Sequence, residues 1–119
     1  MRISDRLNWV VAVIGIWGGI APFILGYSLQ IAAVWNAIIV GLAFLVFGVW
    51  SALSENAPSA RGLNWLNFLI GIWLIISPFV LGFASLTVAM WNSIIVGAVV
   101  SVLELGAALS IRETESVNY

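Results

Sequence analysis

The chain lacks three residue types on which much of protein chemistry depends. Its 119 residues include no Cys, no His and no Lys. The absence of Cys excludes disulfides and thiolate nucleophiles, and without His or Cys the usual ligands of zinc and haem are missing. General bases and nucleophiles are therefore reduced to carboxylates and hydroxyls. We expect a protein that is not an enzyme, with no catalytic, cofactor-binding or metal-binding residues.

Charge is scarce as well. Charged residues make up 8% of the chain and hydrophobic residues 63%, against about 25% and roughly 45–50% in soluble domains. The net charge of −1 gives no basic surface for nucleic acid. The chain instead has four apolar runs, over residues 8–27, 31–53, 64–83 and 88–111. Each is long enough to cross the hydrocarbon core of a bilayer, about 30 Å thick, as an α-helix. The runs therefore predict an all-α membrane protein with four transmembrane helices.

The four runs come from a duplication. Without gaps, residues 7–54 match residues 63–110 at 23 of 48 positions, with an offset of 56 residues. We expect a single transmembrane domain over residues 1–119, with repeat one at 7–54, a linker at 55–62, repeat two at 63–110 and a polar tail at 111–119. Because each repeat has two spans, both repeats enter the membrane in the same direction. They are predicted to be related by a pseudo-two-fold axis along the membrane normal.

A short motif in each repeat resembles that of a known family. The motif residues are Ala21, Pro22, Phe23 and Gly26 in repeat one and Ser77, Pro78, Phe79 and Gly82 in repeat two, and a Trp-Asn pair follows in both. The pattern resembles the SPW-repeat family of small bacterial and archaeal integral membrane proteins, named for a Ser-Pro-Trp signature. Both copies here have Phe in place of that Trp. The resemblance implies a fold of paired helices and a membrane location, and it implies no established activity.

The arginines predict the orientation of the chain. All four (Arg2, Arg6, Arg61 and Arg112) lie on the side of the membrane opposite to the short turns at 28–30 and 84–87. By the positive-inside rule that side is the cytoplasm. We therefore expect a multi-pass protein of the cell's inner (plasma) membrane with both termini in the cytoplasm.

Two prolines interrupt the first and third runs. Pro22 and Pro78 each leave the carbonyl four residues earlier without its amide donor, and in lipid such a carbonyl needs another donor. Asn36 and Asn92 begin the following runs at matching depth and are the candidate donors, with indole N–H groups nearby. A structural kink is the expected role, and a broken-helix binding site of the transporter kind is the alternative.

Small residues recur at spacings that let helix backbones approach closely. The candidate packing residues are Gly15, Gly19, Gly41, Ser93, Gly97 and Ser101. We expect them to pack inside one bundle, and contact with a second molecule is the alternative.

One ionisable residue lies within an apolar run. Glu104 lies six residues before Ser110, about 9 Å by helical rise, and it shares a helix face with Gly97. A carboxylate inside a membrane is a functional candidate by default. The structural alternative is that Glu104 reaches toward the interface or pairs with Arg6 or Arg61.

These observations favour a protein that acts by contact, as a structural or accessory subunit of a larger complex or as a self-associating bundle. The expected partners are membrane lipids and other membrane-protein subunits or further copies of the chain, and not nucleic acid. Two alternatives stay open. One is a small oligomeric transporter or channel that uses Glu104, and the other is a lipid-, quinone- or pigment-binding module lined by Trp17 and Trp73.

Overall fold

The computed structural model describes residues 3–27, 29–54 and 57–117, and these residues form four α-helices. The helices are α1 (Ile3–Leu25), α2 (Ile31–Leu53), α3 (Ala57–Leu81) and α4 (Thr87–Val117). Each contains a span long and apolar enough to cross a membrane: Asp5–Leu25, Ile31–Leu53, Ala60–Leu81 and Thr87–Leu109. The predicted all-α membrane fold with four transmembrane helices is confirmed.

The helices run further than the apolar runs that predict them. Helix α3 begins at Ala57, so most of the expected linker is helical. Pro58 is the second residue of that helix, where a missing amide hydrogen breaks no helical bond. Helix α4 continues through Val117, so the tail expected beyond residue 110 extends the helix. A helix can continue through polar residues beyond the bilayer, because its backbone hydrogen bonds do not depend on apolar side chains. The end of an apolar run therefore does not mark the end of the helix. Arg2 and residues 55–56 and 118–119 lie outside the described residues.

The bundle places the four helices in a ring. Helix α1 packs most extensively on α2, and α3 on α4, while the two hairpins meet through α1 with α4 and through α2 with α3. The core draws side chains from all four helices, and its buried members are Val11, Val40, Phe44, Leu74, Val96 and Val100. The outward faces carry large apolar side chains. The inward apolar faces of the two repeats thus pack against each other.

Glycines bring the two helices of each repeat into backbone contact. A Cβ on Gly41 would lie 2.6 Å from the carbonyl oxygen of Gly15, and one on Gly97 would lie 2.6 Å from that of Gly71. Both distances are far inside van der Waals contact, so no larger residue fits without moving a helix. The Cβ position of Gly19 is open, although its backbone amide also lies against Gly41. The small residues therefore pack inside the hairpins.

Each odd-numbered helix ends at a glycine that follows its proline by four residues. Gly26 and Gly82 have φ angles of 87° and 83°, a left-handed conformation that glycine adopts at no steric cost. The N–H of the next residue donates back to the carbonyl of the proline, at 3.0 Å for Tyr27 and 2.9 Å for Phe83. This bond belongs to the Schellman motif that ends helices. The shared Pro-Phe-x-Leu-Gly sequence thus ends the helix and begins the turn into the next one. We call this end of the bundle the turn end and the opposite one the termini end.

Candidate functional site

Around Pro78, one side chain satisfies the backbone of α3, and two more extend the hydrogen-bond chain from it. The Oγ of Ser77 donates to the carbonyl oxygen of Leu74 at 2.8 Å, and this is the carbonyl that Pro78 leaves without an amide donor. The Nδ2 of Asn36 on α2 donates to the Oγ of Ser77 at 3.0 Å, and the Nε1 of Trp73 donates to the Oδ1 of Asn36 at 3.0 Å. The expectation that an Asn or Trp side chain donates to the freed carbonyl is wrong at Leu74, because a hydroxyl of the same helix reaches that carbonyl.

Repeat one builds the equivalent cluster with its hydroxyl elsewhere. The Nε1 of Trp17 donates to the Oδ1 of Asn92 at 3.2 Å, and the Nδ2 of Asn92 donates to the hydroxyl oxygen of Tyr27 at 3.1 Å. Ala21 stands where repeat two has its serine, so it provides no hydroxyl. Tyr27 provides one from a position where repeat two has phenylalanine. The hydroxyl has changed position between the repeats, and its asparagine partner has not.

The two Trp–Asn pairs join the repeats to each other. Trp17 of α1 binds Asn92 of α4, and Trp73 of α3 binds Asn36 of α2. Exchange of the two repeats converts one pair into the other, as the predicted pseudo-two-fold relation requires, although the axis itself stays a prediction. All these groups lie near the turn end of the bundle. Their role is to hold the hairpins together.

Tyr27 lies in the turn after α1 and is buried there with Ala33, Phe83 and Ala89. Burial raises the pKa of the Tyr27 hydroxyl above its ordinary value, and the hydrogen bond from Asn92 offsets part of the rise. The phenol therefore stays neutral well above pH 7 and keeps its hydrogen bond. Phe23 and Phe79 of the family motif point outward, with 60% and 61% of their surface exposed.

A second polar layer crosses the termini end of the bundle. The Nδ2 of Asn8 donates to the Oδ1 of Asn64 at 2.8 Å. The Oγ of Ser51 donates to the same Asn64 oxygen at 2.9 Å. These three side chains are at most 1% exposed and come from α1, α2 and α3. Amide pairs of this kind join transmembrane helices because lipid offers no competing partner.

Glu104 lies close to this layer and is fully buried. Asn67 of α3 lies beside its carboxyl group, but not in hydrogen-bonding geometry, so neither carboxylate oxygen has a partner among the described residues. The expectation that Glu104 reaches the interface or pairs with Arg6 or Arg61 is therefore wrong. The helix places the carboxyl group on the inner face of α4, and a side chain that points into the bundle cannot also extend to its end.

The packing residues Ser93 and Ser101 are buried on α4 as well, at 7% and 6% exposure. Asn67 and the pair of Asn8 and Asn64 were not singled out from the sequence. The available signal was different in each case. Asn8 and Asn64 occupy the same position in both repeats, whereas Asn67 is polar where repeat one has valine.

The interior of the bundle is filled at its middle. A void of about 10 Å³, lined in part by Val40, Phe44 and Leu74, lies there, and it is no larger than the lower limit for one water molecule. A groove of about 360 Å³ between α2 and α3 is lined in part by Asn36 and Trp73. Its lining does not include Trp17, so the two indoles expected to line one binding module do not share this groove.

The comparisons with known proteins agree with this architecture. The model of the SPW repeat domain matches residues 5–107, which is most of the chain and includes both helical hairpins. No curated protein and no solved structure was found to match. The chain belongs to the SPW repeat domain family.

Proposed function

We propose that this protein is a non-catalytic membrane protein that acts by contact, as a structural or accessory subunit of a larger membrane complex or as a self-associating helix bundle. The observation that carries the proposal is the division between the inside and the outside of the bundle. The polar side chains Asn8, Asn36, Asn64, Asn67 and Glu104 are buried, and they bind one another or lie at helix–helix contacts. Among the described residues, every helix carries large apolar side chains on its outside.

The outward side chains give each repeat a large apolar surface. At matched positions of the two repeats, Val13 and Leu69 are 64% and 61% exposed, and Val46 and Val102 are 48% and 70% exposed. The turns between α1 and α2 and between α3 and α4 are five residues long, over 26–30 and 82–86, and are too short for a receptor domain or a lid. In lipid, helix association depends on packing and shape and gains little from hydrophobicity. We expect such a protein to recognise a partner by the complementary shapes of their helix surfaces.

The direct test is to extract the tagged protein from its native membrane into polymer-bounded lipid discs and to measure the mass of each particle. We expect a discrete assembly, either several copies of the chain or the chain with one recurrent partner. A population of single chains with no recurrent partner would contradict the proposal.

We further propose an inner-membrane location with both termini in the cytoplasm, supported by the arginines at the termini end. An impermeant thiol reagent applied from outside is expected to label Ser85→Cys in the turn before α4. It is expected to leave Ser59→Cys, near the start of α3, unlabelled until the membrane is opened. The reverse pattern would overturn the orientation.

A second candidate function is a small oligomeric transporter that uses Glu104. The observation that favours it is a fully buried carboxyl group without a partner, since intramembrane carboxylates mark ion and substrate pathways. Purified protein in sealed vesicles provides the test. Substrate or ion flux that disappears in Glu104→Gln would promote this candidate over the contact function, and absence of flux in both proteins would remove it.

A further inference from the structure

Three polar side chains meet at the interface of α3 and α4 near the termini end. They are Asn67, Ser101 and Glu104, with 0%, 6% and 0% of their surface exposed, and we call them the α3–α4 polar cluster. Asn67 lies beside the carboxyl group of Glu104. The Oγ of Ser101 points at α3, because a Cβ on Gly71 would lie 2.5 Å from it. Ser101 and Glu104 are three residues apart and share one face of α4.

The cluster exists in one repeat only. At the matched positions, repeat one has Val11, Leu45 and Gly48, and two of these pack tightly. Val11 belongs to the apolar core, and a Cβ on Gly48 would lie 2.9 Å from a backbone oxygen of α1. Three separate positions are therefore polar in repeat two and apolar in repeat one, and the fold brings all three to one place. Three polar residues that meet at one place in the fold indicate a shared role more strongly than a single polar residue does.

None of the polar atoms of the cluster has a hydrogen-bond partner among the described residues. This holds for both side-chain atoms of Asn67, for the Oγ of Ser101 and for both carboxylate oxygens of Glu104. The two Trp–Asn pairs show the contrast, because they form direct hydrogen bonds in the same bundle. Burial of a polar group without a partner is unfavourable, and burial of an unpaired charge is more so. The cluster is therefore suited to a ligand that binds all three groups.

We propose that the α3–α4 polar cluster binds one small monovalent cation, with Na⁺ as the test ion. Its oxygens are a carboxylate, an amide carbonyl and a hydroxyl, which are the ligand types that hard cations prefer. One carboxylate balances one positive charge, so a monovalent ion leaves no net charge in the apolar interior. A divalent ion normally takes more acidic ligands, and no group of three or more His, Cys, Asp or Glu suited to a metal lies in the described part of the chain.

The same helix carries a row of polar residues from the termini end to the cluster. Arg61, Asn64 and Asn67 are spaced three residues apart along α3, and burial increases from the half-buried Arg61 to the two fully buried asparagines. Six residues, about 9 Å of helical rise, separate Arg61 from Asn67. This proposal gives the second candidate function its ligand, and it is tested by binding alone, without any measurement of transport.

The test uses a hydrophobic carbodiimide, which reacts with a protonated carboxyl group inside a membrane and is blocked when a cation holds that carboxylate. Purified protein in lipid discs is treated at increasing NaCl, with choline chloride at equal ionic strength as the control, and labelled Glu104 is quantified by mass spectrometry. Because the rate follows the unoccupied fraction, Na⁺ at ten times its dissociation constant is expected to slow labelling about 11-fold. The midpoint of thermal unfolding is expected to rise with Na⁺ in the same range, because the ion binds the folded state.

Three variants separate the site from general damage to the bundle. Glu104→Gln is expected to abolish both the labelling and the Na⁺-dependent rise in the unfolding midpoint. Asn67→Val, which installs the residue of repeat one, and the milder Ser101→Ala are expected to keep the labelling and to lose most of its protection by Na⁺. The matched control is Ser93→Ala, a buried serine of the same helix outside the cluster, and its protection by Na⁺ is expected to be unchanged.

Two outcomes overturn the proposal. Labelling that changes with pH but not with Na⁺ means that Glu104 binds a proton only. A protein whose labelling and unfolding midpoint are both the same in NaCl and in choline chloride has no Na⁺ site.

Discussion

The hydroxyl that accepts a hydrogen bond from asparagine is on Tyr27 in repeat one and on Ser77 in repeat two. This difference between the repeats leads to a quantitative prediction. Tyr27→Phe removes the acceptor of the Asn92 amide, which lies 3.1 Å away. Hydrogen bonds between transmembrane helices contribute about 0.6 kcal/mol on average, and an unpaired buried donor costs about 1–3 kcal/mol. Asn92 is half-buried, which favours the low end of this range. We expect Tyr27→Phe to lower the free energy of unfolding by about 1 kcal/mol.

Ala21→Ser is expected to repair this loss. The new hydroxyl takes the place that Ser77 has in repeat two, where it accepts a hydrogen bond from an asparagine and donates to the carbonyl freed by the proline. Ala21 is fully buried, so in the presence of the Tyr27 hydroxyl the added atom overpacks the site, at a cost of about 1 kcal/mol. We expect the loss of the Tyr27 hydroxyl in Tyr27→Phe to leave room for the new one. The double variant is therefore expected to be within about 0.5 kcal/mol of the natural protein.

The assay is reversible unfolding in mixed micelles by SDS titration, followed by circular dichroism for the natural chain, both single variants and the double variant. The coupling energy from this cycle is the quantity of interest. A double variant that loses the sum of the two single losses would show that the two repeats do not build equivalent clusters.

Three further predictions follow from the same packing and hydrogen bonds. Gly97→Ala is expected to lower the free energy of unfolding by about 1–3 kcal/mol, because its Cβ meets a backbone oxygen of α3. Gly19→Ala, with open space at its Cβ, is expected to be neutral or slightly stabilising. Equal effects of the two substitutions in SDS titration would contradict the argument from close helix approach. Ser77→Ala is expected to cost about 1–2 kcal/mol, because it leaves the carbonyl freed by the proline without a donor, and an unchanged midpoint in the same titration would remove this role. The raised pKa of Tyr27 means that the neutral phenol stabilises the fold fully below its unfolded pKa of about 10. That contribution is expected to disappear as the pH rises above 10, and a Tyr27→Phe variant that loses stability as steeply as the natural chain over this range would contradict it.

Much of the fold follows from the sequence because lipid imposes strict rules. A backbone in lipid must satisfy its own hydrogen bonds, so four long apolar runs predict four helices. The match of the repeats predicts two equivalent hairpins, and the left-handed glycines at Gly26 and Gly82 occupy equivalent turns. The helix ends are less predictable. Helices α3 and α4 extend through polar residues outside the membrane spans, where composition no longer distinguishes helix from loop.

The candidate site was predictable only in part. The position of Glu104 within a run marked it as a candidate, and the helix face shared with Gly97 indicated burial. Its neighbour Asn67 belongs to another helix, and the register between α3 and α4 depends on the close contact at Gly71 and Gly97. The sequence places Asn36 near the proline of the other repeat only if the bundle's helix order is known. Contacts between helices thus required the structure, and so did the bond within α3 from Ser77 to the carbonyl of Leu74.

The most direct test of the proposed contact function is photo-cross-linking in the native membrane. A photoreactive amino acid is placed at the exposed position Val102, at its repeat-one counterpart Val46 and, as the buried control, at Val100. If the protein acts by contact, at least one of the exposed positions forms a cross-link to one defined polypeptide, either a second copy of the chain or a recurrent partner, and Val100 forms cross-links only within the chain. If Val46 and Val102 both react with lipid alone, the proposed contact function is contradicted at these faces.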